Sequence, residues 1–481
     1  MELDDYFEQA PRLRPIFNLG CLFDIPTGRY YKGKHGEMIL CAGLASFTGI
    51  AGRGNMGKSL IAHFMILRIM ARYMTKANFY DTETSMTLER LYQLAMQFPE
   101  LAGEDLAELK KLVLTDSTMI SGNKWFDKFR DMSMLKKKEA KSLQRTMPFI
   151  DNKGDYIKCI MPHLFEIDSL SMFITDSVDA IYDKNEIGDA SANTDALRSA
   201  AAKTQMLMQM PNLTAGANNL VIATAHAGDK HQLDQYAPDP KKLAHLKGKT
   251  VFKNVPEKFT FLTNNLWYCN SVSVLQNKAT KAPEFPAGPE DNLEGDTDLN
   301  LLVMQNLRAK SGPTGMPFEV IYSQREGLLV GMTEFNYCKF FKYGIGGHDR
   351  AYFIELCPDI TMQRTTVRGK IRDNPRLQRA LEIQSEMCQM ENLGFGQARG
   401  YLMEPKDLYT KIKEMGYNWD ELLETRGYWD FEENKNPKNF LSTLDILRMA
   451  KGEYVPYWYK GKINITALKQ TTDLNIPAKA A

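Results

Sequence analysis

In the segment Gly52-Arg53-Gly54-Asn55-Met56-Gly57-Lys58-Ser59, glycines, a lysine and a hydroxyl fall at the spacing GxxxxGK[ST]. Glycines let several backbone N–H groups converge on one anion, and a helix beginning at the lysine adds the positive end of its dipole. Lys58 would bring a full charge to the β and γ phosphates of a nucleotide. The Ser59 hydroxyl is a hard oxygen ligand of the kind Mg²⁺ takes. Gly52, Gly54, Asn55, Met56, Gly57, Lys58 and Ser59 are therefore the expected ATP-binding residues, with Ser59 also on Mg²⁺.

A Mg²⁺-nucleotide site needs a further carboxylate at the C-terminal end of a strand. Asp176 follows Met172-Phe173-Ile174-Thr175, and Asp168 follows Leu164-Phe165-Glu166-Ile167. Asp176 is favoured as the metal ligand, because Glu166 interrupts the apolar run before its rival. Hydrolysis also requires a group that orients and deprotonates water, and Glu83 lies just past Phe79-Tyr80-Asp81. The alternative is that Asp81-Thr82-Glu83-Thr84 supplies a helix cap. His226 ends the apolar stretch Asn219–Ala225, where an imidazole can read a γ phosphate or serve as a hydrogen-bonded structural residue. Arg308 and Lys310 stand two apart at the end of a strand, so they share a face. They suit cations reaching a neighbouring subunit's phosphate, or a pair of solvated surface charges.

Between residues 228 and 258 lie Lys230, Lys241, Lys242, Lys247, Lys249, Lys253 and Lys258, against Asp229, Asp234, Asp239 and Glu257. Net positive charge interleaved with Tyr236 and Phe252 suits a segment that tracks single-stranded nucleic acid, with lysines on phosphates and rings on bases. A merely solvated loop is the competing reading.

These side chains need a scaffold. Met38–Ala42 and Leu44–Ile50 read as buried strands, Leu60–Tyr73 as a helix and Ala77–Asp81 as the next strand, which together make a βαβ unit. Residues 85–163 read as largely helical and polar, with Lys136, Lys137, Lys138 and Lys141 on a solvated face. Met172–Asp176 reads as a strand, residues 194–210 as a helix and Asn219–His226 as a strand. Strands return at Leu266–Leu275, Leu301–Gln305 and Phe318–Tyr322, and 228–258 and 279–298 read as mobile loops. Alternating strands and helices imply an α/β fold with a mostly parallel sheet flanked by helices. The expected organisation is an N-terminal element over 1–36, a core over 37–332 and a C-terminal α+β region over 333–481. That last region carries an amphipathic helix marked by Leu377, Leu381, Gln384, Met387 and Cys388.

A chain of 481 residues with 43% hydrophobic and 25% charged positions can bury a large core and is not a disordered polymer. A net charge of +1 excludes a globally basic nucleic-acid binder, so any such footprint must be local. No apolar run approaches a membrane span, and the acidic start Met1-Glu2-Leu3-Asp4-Asp5 is unlike a signal peptide. The expected location is therefore the cytoplasm. Seven cysteines, scattered singly, read as reduced thiols.

In order, these segments resemble the RecA class of strand-exchange recombinases, closest to the bacteriophage UvsX type, over about residues 17–332. Gly52–Ser59 is similar to the Walker A loop and Phe79-Tyr80-Asp81-Thr82-Glu83 to the strand that carries the catalytic glutamate. Phe173-Ile174-Thr175-Asp176-Ser177 is similar to the Walker B strand, and Glu186-Ile187-Gly188-Asp189 to part of the first DNA-binding loop. Ile222-Ala223-Thr224-Ala225-His226 is similar to the strand ending in the nucleotide sensor, histidine being the phage-type choice. Residues 228–258 fall at the second DNA-binding loop, and Arg308-Ala309-Lys310 where the family has paired cations acting across the filament interface. Residues 120–163 and the second loop are longer than the family's.

The resemblance implies a RecA-like P-loop core and a DNA-dependent ATPase with ATP and Mg²⁺ as cofactors. Glu83, Lys58 and His226 would be catalytic, and residues 1–36 would supply a protomer contact. It further implies a homo-oligomeric filament on single-stranded DNA that pairs with homologous duplex DNA in recombination, repair and recombination-dependent replication. A single-strand-binding protein and a loader would be further partners, and a phage-encoded chain would work in the host cytoplasm. The alternative is a DnaB-type hexameric replicative helicase, whose C-terminal strands also resemble Arg308-Ala309-Lys310-Ser311-Gly312-Pro313-Thr314-Gly315. A Walker A loop at residue 52 leaves no room for that class's N-terminal helical domain.

Overall fold

The structure is a computed structural model that describes residues 13–182, 192–230, 246, 250–288, 290–291 and 293–464. In chain order it begins with a small antiparallel pair, β1 (Arg29–Lys32) and β2 (Met38–Cys41). There follow β3 (Phe47–Gly52), α1 (Lys58–Tyr73), β4 (Lys76–Asp81), α2 (Leu88–Ala95), β5 (Leu112–Asp116) and α3 (Gly122–Lys138). A hairpin, β6 (Gln144–Ile150) and β7 (Tyr156–Ile160), leads into β8 (His163–Asp168), α4 (Asp176–Tyr182), α5 (Ala192–Ala215) and β9 (Asn219–Asp229). The chain returns with β10 (Thr250–Phe252), α6 (Lys258–Leu262), β11 (Asn265–Val274), β12 (Leu299–Ala309), β13 (Pro317–Ser323) and β14 (Gly327–Leu328).

Among the described residues, the large sheet has the order β14-β13-β12-β11-β3-β9-β8-β4-β5, with β10 paired to β9. From β11 to β5 every pairing is parallel, while β12, β13, β14 and β10 are antiparallel additions. The protein is thus α/β with a mixed, mostly parallel sheet. Helices cover both faces, because alternate residues of the central strands are apolar on each side. Leu220 and Ile222 join the cluster with α1, whereas Val221 and Ala223 join Trp125 and Phe129 of α3 and Leu207 and Met210 of α5.

Several expectations change. Met172–Asp176 is not a strand: Met172 and Ile174 are 46% and 38% exposed, and Asp176 is the exposed first residue of α4. The strand is β8, ending at Asp168. Glu166, which had counted against it, is accommodated because its fully buried carboxylate lies 3.3 Å from His63 Nε2 on α1. Residues 85–163 are not mainly helical. They hold β5 at the sheet edge and the β6–β7 hairpin, whose Phe149 packs edge-on against Trp429 at 5.3 Å. Residues 279–298 have little regular structure, yet Ala282 and Phe285 are buried, the latter against Phe335.

Lys136 is not solvated. On the inward face of α3, one turn from Ser133 and two from Phe129, it is buried and donates to Asn219 Oδ1 at 2.8 Å and to the Asn218 carbonyl at 3.4 Å. Burial brings its pKa down from 10.5 to about 7. Between those values the folded chain binds fewer protons than the unfolded chain, so this group's contribution to stability rises with pH from about 7 to 10.5. Lys136→Met is therefore expected to melt higher than the parent near pH 7 and to lose that advantage towards pH 10. The linked term is at most roughly 4 kcal/mol, less about 1 kcal/mol for each hydrogen bond removed. A melting difference that does not shrink with pH would show that Lys136 stays charged in the fold.

The described N-terminal residues pack within their own chain, with Phe17 against Tyr73 and Trp429. Residue 333 lies inside α7 (Val330–Phe341), which packs on β13. Beyond it, β15 (Ile345–Gly346), β16 (Tyr352–Ile354) and β17 (Cys357–Met362) form a small sheet. They are followed by α8 (Val367–Asp373), α9 (Pro375–Asn392), α10 (Pro405–Glu414), α11 (Trp419–Leu423) and α12 (Thr443–Ala450). Leu377, Leu381, Gln384, Met387 and Cys388 form the buried face of α9, as their spacing implied. No helix among the described residues is long and apolar enough to cross a membrane.

Candidate functional site

Parallel register lines up the C-terminal ends of four adjacent strands. Gly52 of β3 pairs with His226 of β9, and Asp81 of β4 pairs with Asp168 of β8. Between those pairs β8 and β9 adjoin, and the Thr224 hydroxyl donates to Asp168 Oδ1. Open parallel sheets bind ligands outside this edge.

The chain leaves β3 through Arg53–Gly57 and enters α1 at Lys58. Gly57 has φ +69, a left-handed conformation that glycine adopts without steric cost. A Cβ on Gly52 would come within 2.9 Å of Cys269 Cβ, so β11 can approach only a glycine here. Among the described residues no side chain caps the N-terminus of α1, which leaves its first N–H groups to the loop's concave side. Lys58 is buried and its Nζ donates to the Arg53 carbonyl at 2.8 Å. Burial lowers its pKa, opposed by Cys269, Asp168 and Glu83 nearby. Arg53 itself turns away and pairs with Asp229 at 2.7 Å, an exposed contact of little weight for stability.

Across the edge, Asp81 organises a turn: its carboxylate accepts from the N–H groups of Glu83 at 2.9 Å and of Ser85 and Met86 at 2.6 Å. Thr82 is stitched to β8 through its N–H on the Asp168 carbonyl at 2.7 Å and its hydroxyl on the Ser169 carbonyl at 2.9 Å. The capping alternative thus applies to Asp81, within a turn. Glu83 is left to meet His226, with Oε1 2.7 Å from Nε2. Burial acts to raise the Glu83 pKa, but hydrogen bonding from His226 and the positive charge of Lys58 outweigh it and hold the carboxyl below its usual range.

Behind Asp168 lies a second pair. Burial raises the Glu166 carboxyl to about 7. Burial also works against charge on His63, but the neighbouring carboxylate outweighs it and raises the imidazole. Their 3.3 Å separation permits charge attraction, although the atoms are not aligned as a hydrogen bond. His63, Glu166 and Asp168 also converge within 4.8 Å, yet only Asp168 stands at the strand end.

Neither family models nor curated proteins match the sequence.

Of the expected residues, the loop Gly52–Ser59, Glu83 and His226 come together with Asp168. Asp176 does not share this row, because it lies past the end of β8 on α4. Arg308 and Lys310 sit elsewhere. Ala309 between them is in line with Asn265 and hence with Thr48, four residues and about 13 Å back along β3 from Gly52. Arg308 Nε donates to the Thr263 carbonyl at 3.2 Å. Burial lowers the Lys310 pKa, with repulsion from Arg308 and Arg14 adding to it, which marks a positive patch on the opposite edge of the sheet. Lys230 and Lys253 are exposed. Lys241, Lys242, Lys247 and Lys249, and the segment Glu186–Asp189, lie outside the described residues. Sequence reasoning missed Ser171 and Lys203, whose only signal is their place near the strand ends after folding.

Proposed function

We propose that the chain is a RecA-class, DNA-dependent ATPase, a strand-exchange recombinase of the phage type that assembles as a filament on single-stranded DNA. The observation that carries this reading is the Glu83–His226 pair, 2.7 Å apart, on strand ends either side of Asp168 and beside the loop that leads to Lys58. The residues present fit Mg·ATP: an uncapped helix start behind a left-handed glycine, an ammonium, a hydroxyl on Ser59 and a strand-end carboxylate. When bound, ATP supplies the anhydride to be split and Mg²⁺ neutralises charge on its phosphates.

In this reading Lys58 attracts the β and γ phosphates, and Ser59 with Asp168 would hold the cation. Glu83, kept ionised by its neighbours, takes the proton from the attacking water. His226 orients that carboxylate and registers the γ phosphate. Arg308 and Lys310, on the opposite edge, would reach only the nucleotide of another copy, which argues for assembly. The exposed Lys230 and Lys253, with the lysines between them, would follow the DNA backbone.

A DnaB-type helicase would use the same ATPase parts, so assembly is the discriminating measurement. The full chain with single-stranded DNA and a slowly hydrolysed ATP analogue should form continuous filaments in electron micrographs, and DNA should stimulate its ATP turnover. Closed six-membered rings would transfer the assignment to the helicase. Failure to bind Mg·ATP would remove both.

A further inference from the structure

A chain of hydrogen bonds leads from the Glu83–His226 pair into helix α5. The His226 backbone N–H donates to Ser171 Oγ at 2.8 Å, and that hydroxyl donates to the Lys253 carbonyl at 2.9 Å. The Lys253 N–H returns to the His226 carbonyl at 2.8 Å, closing a ring around the end of β9. Into this ring reaches Lys203 of α5, whose Nζ donates to the Ser171 carbonyl at 3.2 Å and to the Asn254 carbonyl at 2.9 Å. Asn254 has φ +54, a left-handed residue immediately after Lys253.

Lys203 is 3% exposed, and among the described residues it has no ion pair. A desolvated ammonium facing carbonyl dipoles alone is costly, and a methionine would fill similar space without that penalty. What the lysine adds is direction. One atom joins α5, the segment after β8 and the segment after β10, and all three meet where His226 is held. Burial brings its pKa down to about 8, so the link is charged at neutral pH.

We propose that Lys203 is a positioning residue: by holding Ser171 and Asn254 against the end of β9 it sets the His226 ring against Glu83, and it makes that setting depend on the placement of α5. The functional part of this proposal rests on the reading of Glu83 and His226 as the hydrolytic pair.

The test uses the full chain. Lys203→Met should leave Mg·ATP affinity within about twofold while lowering DNA-stimulated kcat roughly tenfold or more, and Lys203→Arg should recover part of that loss. Ser171→Ala, a smaller change that removes the hydroxyl link, should act in the same direction and carries the test if Lys203→Met does not fold. Nitrogen-15 spectra of the His226 ring should shift in both variants. Unchanged DNA stimulation, or affinity falling in step with kcat, overturns the proposal. If the parent itself turns over no ATP, the functional reading fails separately. The His226 spectra then judge the positioning role, with unchanged ring signals overturning it and shifted signals sustaining it.

Discussion

Glu83→Gln is expected to lower DNA-stimulated ATP turnover by roughly 10²- to 10⁴-fold, the range for loss of a positioned general base, with Mg·ATP affinity held within about threefold. The substitution keeps the side chain's size and replaces a carboxylate by an amide that cannot take the proton from water. It leaves the turn intact, because the carboxylate that accepts from the backbone N–H groups of Glu83, Ser85 and Met86 belongs to Asp81. It also leaves Lys58 and the start of α1 untouched, so nucleotide should still dock. Steady-state turnover with and without single-stranded DNA, alongside nucleotide titration, separates the two effects. Turnover at the parental rate would show that another group activates water, and a parallel loss of affinity would assign Glu83 to binding.

The second large effect concerns the proposed metal ligand. Asp168→Asn is expected to remove most of the Mg²⁺-dependent gain in ATP affinity, roughly 30-fold or more for loss of an ionic ligand, whereas Asp176→Asn should leave it within about twofold. Asp168 ends a central strand directly beside Asp81 and accepts the Thr224 hydroxyl, so its position is set by two neighbouring strands. Asparagine can still accept that hydroxyl, which limits the structural cost. Asp176 starts a short helix, exposed to solvent. Calorimetric titration of ATP with Mg²⁺ and with a chelator measures the difference. The reverse pattern, with Asp176→Asn the damaging change, would remove Asp168 from the site.

How much of this was legible beforehand varies with the range of the interaction. The strand, glycine turn and helix around Lys58 could be read because all the determinants lie within some 25 consecutive residues: an apolar run, a residue free to take positive φ, and an unbroken apolar helix. Glu83 and His226 could be singled out as residues at the ends of apolar runs, though not as partners. Preferring Met172–Asp176 to Leu164–Asp168 as the strand went the wrong way on a local rule, that a charged residue interrupts a buried strand. Glu166 breaks that rule only because His63, more than a hundred positions earlier, faces it across the helix–sheet interface. Lys136 was misread for the same reason, since its acceptors at Asn218 and Asn219 lie at the start of a distant strand.

Periodicity, composition and a short glycine-rich spacing determined that the chain is α/β and where a strand turns through glycines into a helix, since those properties arise between residues close along the chain. Strand order and register decided the rest. They set Gly52 beside His226 and Asp168 beside Asp81, put Arg308 and Lys310 on the far edge, and brought Lys203 to Ser171 and Asn254. Register is chosen by the burial of whole faces against one another, and a slip of one residue would turn every side chain of a strand to the opposite side. That energy belongs to pairs of segments far apart in sequence, and so only the folded chain reveals it.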